Sequence, residues 1–203
     1  MDATRIAESL VAMQARPLLV IGDVMLDRYI DGRVTRMSPE APVPVLEKSA
    51  ESDMPGGAAN VASNLAALGC DVRLLAVTGD DAAGDRLASL LGSNLAIDFA
   101  RICDPDRPTT RKTRFRSDGQ QVLRVDEELT ASVSDDVQAR LLDSVKSQLA
   151  TVNAVILSDY AKGGLPTFGK GPRGPPRPPR GPKLEVSQFG SAGGAVWPTS
   201  TTK

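Results

Sequence analysis

Three near-continuous apolar runs constrain this chain more than any other feature. Pro17–Gly22 (PLLVIG), Val72–Val77 (VRLLAV) and Val152–Leu157 (VNAVIL) lack the alternation of a half-exposed strand. Each reads as a strand buried on both faces, as in a parallel sheet. The segments between them carry helical stripes: Val61, Leu65 and Leu68; Ala83, Leu87, Leu90 and Leu91; Val137, Leu141, Val145 and Leu149. Leu95–Ile102 reads as a further strand, and Ser134 as the cap of the last helix, with Asp135 and Asp136 in its positive first turn. Strands alternating with amphipathic helices predict a largely parallel α/β sheet.

In such sheets ligands sit beyond the carboxyl ends of the strands. Asp23 and Asp27 follow the first run, and Ser158-Asp159-Tyr160-Ala161-Lys162-Gly163-Gly164 follows the last. Between them lies Met54–Gly69, MPGGAANVASNLAALG. Gly56-Gly57 leaves backbone that can approach a ligand closely. Ala58 onward reads as a helix stopped by Gly69, with Asn60 and Asn64 on its polar stripe. An amide at Asn60, beside the unpaired N–H groups of the helix start, can donate to and accept from ligand hydroxyls. A glycine turn feeding a packing helix explains the same residues without a ligand. Asp27, Asn60, Asp159 and Lys162 are expected to converge at one edge of the sheet.

Two segments stand outside this pattern. Residues 29–50 hold strand-like pieces around the proline-rich MSPEAPVP, and proline favours edge strands. Residues 109–126 read as a hairpin turning at Asp118-Gly119. With a two-residue loop Ser117 faces Gln120 and Arg111 faces Asp126. Lys112, Arg114 and Arg116 then share one face, where they repel one another unless solvated or facing an anion. A charged, protected edge strand is the competing explanation.

The chain has 203 residues, a net charge of −1, no histidine and two cysteines, Cys70 and Cys103. Near-neutrality gives no field to recruit nucleic acid or an anionic membrane, and no run is long enough to span a bilayer. Two isolated cysteines suit a reduced, cytoplasmic protein. The lack of histidine removes Ser-His-Asp and Cys-His nucleophiles and histidine-containing zinc sites. Residues 169–183, GKGPRGPPRPPRGPK, change composition abruptly, and 166–203 is expected to be a disordered tail. Its Gly, Pro, Arg and Ala content is what GC-rich codons yield out of phase, so a frameshift after about residue 165 is expected. The Val152–Leu157 strand would then keep an unpaired outer edge.

The segments GDVMLDRYIDGRVTRMSPEAPVPVLE, PGGAANVASNLAALG, VTGDDAAGDRL, TTRKTRF, QQVLRVDEE and LSDYAKGGL together resemble the ribokinase-like (PfkB-type) carbohydrate kinases. Within them they are similar to the bacterial heptose 7-phosphate kinases of lipopolysaccharide-core synthesis. The resemblance covers residues 17–165 and implies a ribokinase-like α/β fold, mainly parallel sheet flanked by helices, with a small β lid. It implies sugar-hydroxyl ligands at Asp27, Asn60 and Gly56-Gly57. Lys112, Arg114, Arg116 and Arg124 become candidates for the sugar's phosphate. Asp159 and Lys162 match a loop between sugar and nucleotide. The implied reaction moves a phosphoryl group from ATP, with Mg²⁺, to the anomeric hydroxyl, giving heptose 1,7-bisphosphate. The lid implies a homodimer. The family's DTxGAGD-like segment has no counterpart in the sequence, so no catalytic or metal-binding residue is assigned. Residues 1–165 are expected to be the amino-terminal part of a kinase domain whose carboxyl-terminal half is missing, and the chain itself is expected to be inactive. A kinase for another phosphosugar, and a non-catalytic sugar-binding or subunit-interaction fragment, remain the alternatives. A dinucleotide-binding domain lacks the GxGxxG that should follow Pro17–Gly22.

Overall fold

The computed structural model describes residues 17–165, together with Val11, Gln14 and the strand 194–198. Strand β1 (Leu18–Gly22) pairs in parallel with β4 (Val72–Thr78) and with β8 (Ala154–Ser158), and β4 pairs in parallel with β5 (Ile97–Cys103). Strand β9 (Gly194–Pro198) adds antiparallel to β8, so the order is β5-β4-β1-β8-β9.

The apolar runs are continuous because both faces of the sheet are covered. Leu18 and Val20 pack with helices α1 (Ala58–Ala67) and α2 (Ala82–Gly92), through Ala58, Ala59, Ala62, Leu65, Leu87 and Leu91. Leu19 and Ile21 pack on the other face against Val137 and Leu141 of α3 (Asp135–Gln148). Ser134 caps α3 through Val137 N–H, 3.4 Å away, as expected. Asp81 caps α2 through Gly84 N–H at 2.8 Å. The buried stripe of α1 differs from expectation. Alanines 58, 59 and 62 with Leu65 face the sheet, Val61 is only partly buried, and Leu68 is 50% exposed beyond the last turn. Small side chains let this helix lie close to the strands.

A second sheet, ordered β3-β2-β6-β7, forms the lid. Strands β2 (Val24–Met37) and β3 (Pro44–Gly57) are antiparallel, β6 (Arg111–Ser117) lies parallel to β2, and β7 (Gln120–Glu127) returns antiparallel to β6. Pro44 and Pro55 sit in β3, an edge strand, as proline requires. The lid strands are longer than the sequence suggested. Only Asp23 separates β1 from β2, and Gly56-Gly57 ends β3, opposite Met25 and Val24, instead of forming a loop.

The hairpin turns at Asp118 (φ 49°) and Gly119 (φ 83°), where positive φ at both residues matches the strand twist. Ser117 faces Gln120 as expected, but Arg111 faces Glu127 and Lys112 faces Asp126. The expected Arg111–Asp126 pairing is corrected by a bulge between Phe115 and Arg116, which inserts one residue of β7. Gly194–Pro198 is strand, and it covers the edge of β8. The remainder of 166–203 lies outside the described residues.

Candidate functional site

The lid meets the main sheet where β1 passes into β2. Because strand side chains alternate, Asp27, Tyr29 and Asp31 occupy one face of β2. The parallel register sets Asp27, Tyr29 and Asp31 opposite Lys112, Arg114 and Arg116. The three cations therefore do face anions. Arg114 Nη1 donates to Asp27 Oδ1. Arg116 donates to both oxygens of Asp31 at 2.7 and 2.8 Å. The Tyr29 ring lies between, 5.4 Å from the Arg114 guanidinium and 4.6 Å from that of Arg116, in cation–π range. Lys112 Nζ donates to Asp126 at 2.9 Å and Glu128 at 3.1 Å, and Arg124 pairs with Asp126 at 2.9 Å.

Each pairing moves acidity in the direction its chemistry dictates. The Arg116 hydrogen bond holds Asp31 below the usual carboxylate range. Asp126 is likewise lowered: burial alone would raise it, but hydrogen bonds and charge from Lys112 and Arg124 outweigh that. Burial would lower Arg114, and the Asp27 hydrogen bond reverses this to a net rise.

Gly56 sits directly under the Asp27 carboxylate. A Cβ there would land on Asp27 Oδ2 and 2.7 Å from Met25 Cγ. The role expected of Gly56 is thus partly steric: it leaves room for Asp27 to reach Arg114. Gly57 caps α1 with φ 59°. Asn60, in the first turn of α1, is exposed, and its side-chain amide makes no hydrogen bond to another described residue.

The loop after β8 is anchored by a residue that follows the first apolar run in the sequence. Asp23, 3% exposed, accepts from Tyr160 N–H (2.9 Å), Lys162 N–H (3.0 Å) and Gly164 N–H (3.0 Å). Those bonds make it the anchor of this loop. Asp159 is exposed and caps its own turn through Ala161 N–H at 2.8 Å. Lys162 Nζ reaches Glu128 Oε1 at 2.8 Å. The lid and the post-β8 loop therefore meet through Glu128, which sequence reasoning missed. The alternation of Asp27, Tyr29 and Asp31 was the readable signal for the lid pairs. Glu128 lies past the end of β7 and had no periodicity to mark it.

Residues 15–167 match the model of the pfkB family carbohydrate kinases. The chain belongs to the pfkB family. A bifunctional protein HldE from Azorhizobium caulinodans is 48% identical over 155 residues, 76% of this chain and 32% of that protein. Another from Hyphomonas neptunium is 46% identical over 161 residues, 79% of this chain and 33% of its own length. The chain thus spans about a third of the length of these curated relatives. Among solved structures, a carbohydrate kinase from Agrobacterium tumefaciens superposes with TM-score 0.53 at 24% identity, covering 69% of this chain and 44% of that one. Phosphofructokinase-2 from Escherichia coli in complex with fructose-6-phosphate superposes with TM-score 0.52 at 22% identity, covering 70% and 45%. These likenesses identify the fold as the ribokinase-like α/β fold. No helix among the described residues is long and apolar enough to cross a membrane.

The donor set does not fit a resident metal ion. Among the described residues no three histidine, cysteine or carboxylate side chains lie together as ligands, and the site carboxylates Asp27, Asp31, Asp126 and Glu128 are each held by a cation.

Proposed function

We propose that this chain forms the sugar-binding part of a kinase that phosphorylates D-glycero-D-manno-heptose 7-phosphate at the anomeric hydroxyl, giving the 1,7-bisphosphate. Membership of a carbohydrate kinase family and the resemblance of its motifs to heptose 7-phosphate kinases support this reading. The observation that carries it is the Asp27–Arg114 pair above Gly56. One carboxylate able to accept sugar hydroxyls and one guanidinium able to hold a phosphate stand in direct contact. A phosphosugar needs both within its own length.

In this reading Asp27, Asn60 and the Gly56-Gly57 backbone orient the hydroxyls. Arg114 and Lys112, with Arg116 farther along β6 and Arg124 across from Arg114 on β7, bind the existing phosphate. Asp159 and Lys162 stand on the loop facing the nucleotide. ATP with Mg²⁺ is the phosphoryl donor by family. Such transfer depends mostly on positioning and charge stabilisation, and this chain contributes the positioning of the acceptor. A cytoplasmic location suits an ATP-dependent reaction. Strand β7 carries exposed Val122, Leu123 and Val125 on an edge of the lid, which supports a homodimer through that sheet.

Because the sequence contains no DTxGAGD-like segment, the 203-residue chain is proposed to bind the sugar without turning over ATP. A general base alone is worth roughly 10²- to 10⁴-fold. A coupled ADP-release assay with heptose 7-phosphate, ATP and Mg²⁺ tests this, alongside calorimetric detection of sugar binding. Binding without release supports the proposal; sugar-dependent ADP release would place the catalytic centre within this chain, and absence of both would reject the sugar site.

A further inference from the structure

Glu128 joins two separate elements of the site, the lid and the loop after β8. Its Oε1 accepts from Lys162 at 2.8 Å and its Oε2 from Lys112 at 3.1 Å. One ammonium comes from the lid and the other from the loop after β8. All three side chains are partly buried: 23% exposed for Glu128, 18% for Lys162 and 14% for Lys112. The two lysines hold Glu128 below the ordinary glutamate range. The Lys162 hydrogen bond contributes most, burial opposes it, and Lys112 adds to it.

The main chains of the same two segments are tied separately. Arg107, 9% exposed, donates through Nη2 to the carbonyls of Leu129 (2.9 Å), Ala131 (3.3 Å) and Lys162 (2.8 Å). Asp23 holds Lys162 N–H from the other side, and Val133 N–H donates to the Gly163 carbonyl at 3.1 Å. The backbone at Lys162 is thus fixed without Glu128, whereas the placing of its ammonium depends on Glu128.

Resting on the sugar-site reading above, we propose that Glu128 is a positioning residue that sets the ammonium groups of Lys112 and Lys162 as a pair. It makes the lid's contact with a phosphosugar and the loop's contact with the reacting end interdependent. Substitution should then move both lysines together and leave the loop backbone in place.

The experiment is amine acylation of the folded 203-residue chain, followed residue by residue with mass spectrometry, alongside amide exchange of residues 159–164. In Glu128→Gln, Lys112 and Lys162 should both react faster, by about fivefold for roughly 1 kcal/mol of lost pairing, with loop exchange unchanged. Asp126→Asn should speed Lys112 alone. Glu128→Asp, one methylene shorter, should fail to protect at least one of the two lysines. Unchanged Lys162 reactivity in Glu128→Gln would overturn the proposal, as would loop exchange that accelerates as much as the lysines do. A parallel arm adds heptose 7-phosphate to the native chain. If the sugar protects neither lysine while Glu128→Gln still exposes both, the coupling stands and the sugar-site reading fails.

Discussion

Gly56→Ala tests whether the Asp27–Arg114 pair depends on the bare backbone beneath it. An added Cβ lands on Asp27 Oδ2 and 2.7 Å from Met25 Cγ. Methionine yields easily, but Asp27 is held by Arg114, with side-chain exposures of only 17% and 21%. Moving the carboxylate therefore means giving up a charge-assisted hydrogen bond, worth about 1.5–3 kcal/mol. Residual crowding adds about 1 kcal/mol, and the gain from replacing glycine in a strand returns about 0.5–1 kcal/mol. The net expectation is a loss of about 2–3 kcal/mol, equivalent to a Tm decrease of roughly 5–10 °C for a domain of this size. In an Asp27→Ala background the obstacle is gone, and the same substitution should cost less than about 1 kcal/mol. Urea unfolding of the four-member cycle, followed by circular dichroism, gives the coupling, expected at about 1.5 kcal/mol. A coupling under ~0.5 kcal/mol, the level found for independent sites, would refute the reasoning.

Other perturbations probe the rest of the framework. Glu128 has a lowered folded pKa, so its contribution is complete above its ordinary value of 4.5 and is lost as pH falls through the lower folded value. The stability gap between the native chain and Glu128→Gln should be constant above that pH and close below it; a gap widening in acid would contradict this. Asp53, whose side chain is 8% exposed, accepts from Arg28 at 2.8 and 3.2 Å and from Arg86 of α2 at 2.9 Å. Asp53→Ala should cost about 2 kcal/mol, discounted for the exposure of the two arginines, and speed amide exchange in β3; unaltered exchange would show that this cluster does not hold the lid root. Asp23→Asn should cost about 1–3 kcal/mol and accelerate exchange at Tyr160, Lys162 and Gly164, whose N–H groups lose part of their acceptor; protection retained at all three would rule out the anchor role.

The sheet was legible because burial on two faces leaves a signal that needs no tertiary knowledge: Leu18 to Ile21 are apolar at every position and buried at every position. The Asp118-Gly119 turn was legible because positive φ at two successive residues restricts composition. What failed was local. The pairing of Arg111 shifted by one residue because a bulge carries no sequence mark. The stripe on α1 rotated toward Ala58, Ala59 and Ala62 because close packing favoured small side chains over Val61 and Leu68. In the site, the need for anions opposite Lys112, Arg114 and Arg116 was readable. For Arg114 and Arg116 their identity required the parallel register of β2 on β6, which couples residues about 85 positions apart, whereas Lys112 pairs with Asp126 on β7 and Glu128 just past it. The loop-anchoring role of Asp23 and the part played by Glu128 escaped because their partners are backbone N–H groups and a distant lysine, neither of which leaves a pattern near them in the chain.

The most direct measurement is a calorimetric titration of the chain with heptose 7-phosphate and, in parallel, with the unphosphorylated heptose. If the lid cations read the phosphate, the phosphorylated sugar should bind at least about tenfold more tightly, the factor that ~1.4 kcal/mol of charge-assisted contact provides. Arg114→Ala should remove most of that difference while weakening the plain sugar little. Equal affinity for the two sugars in the native chain, or a preference that survives Arg114→Ala and Lys112→Ala intact, would contradict the account.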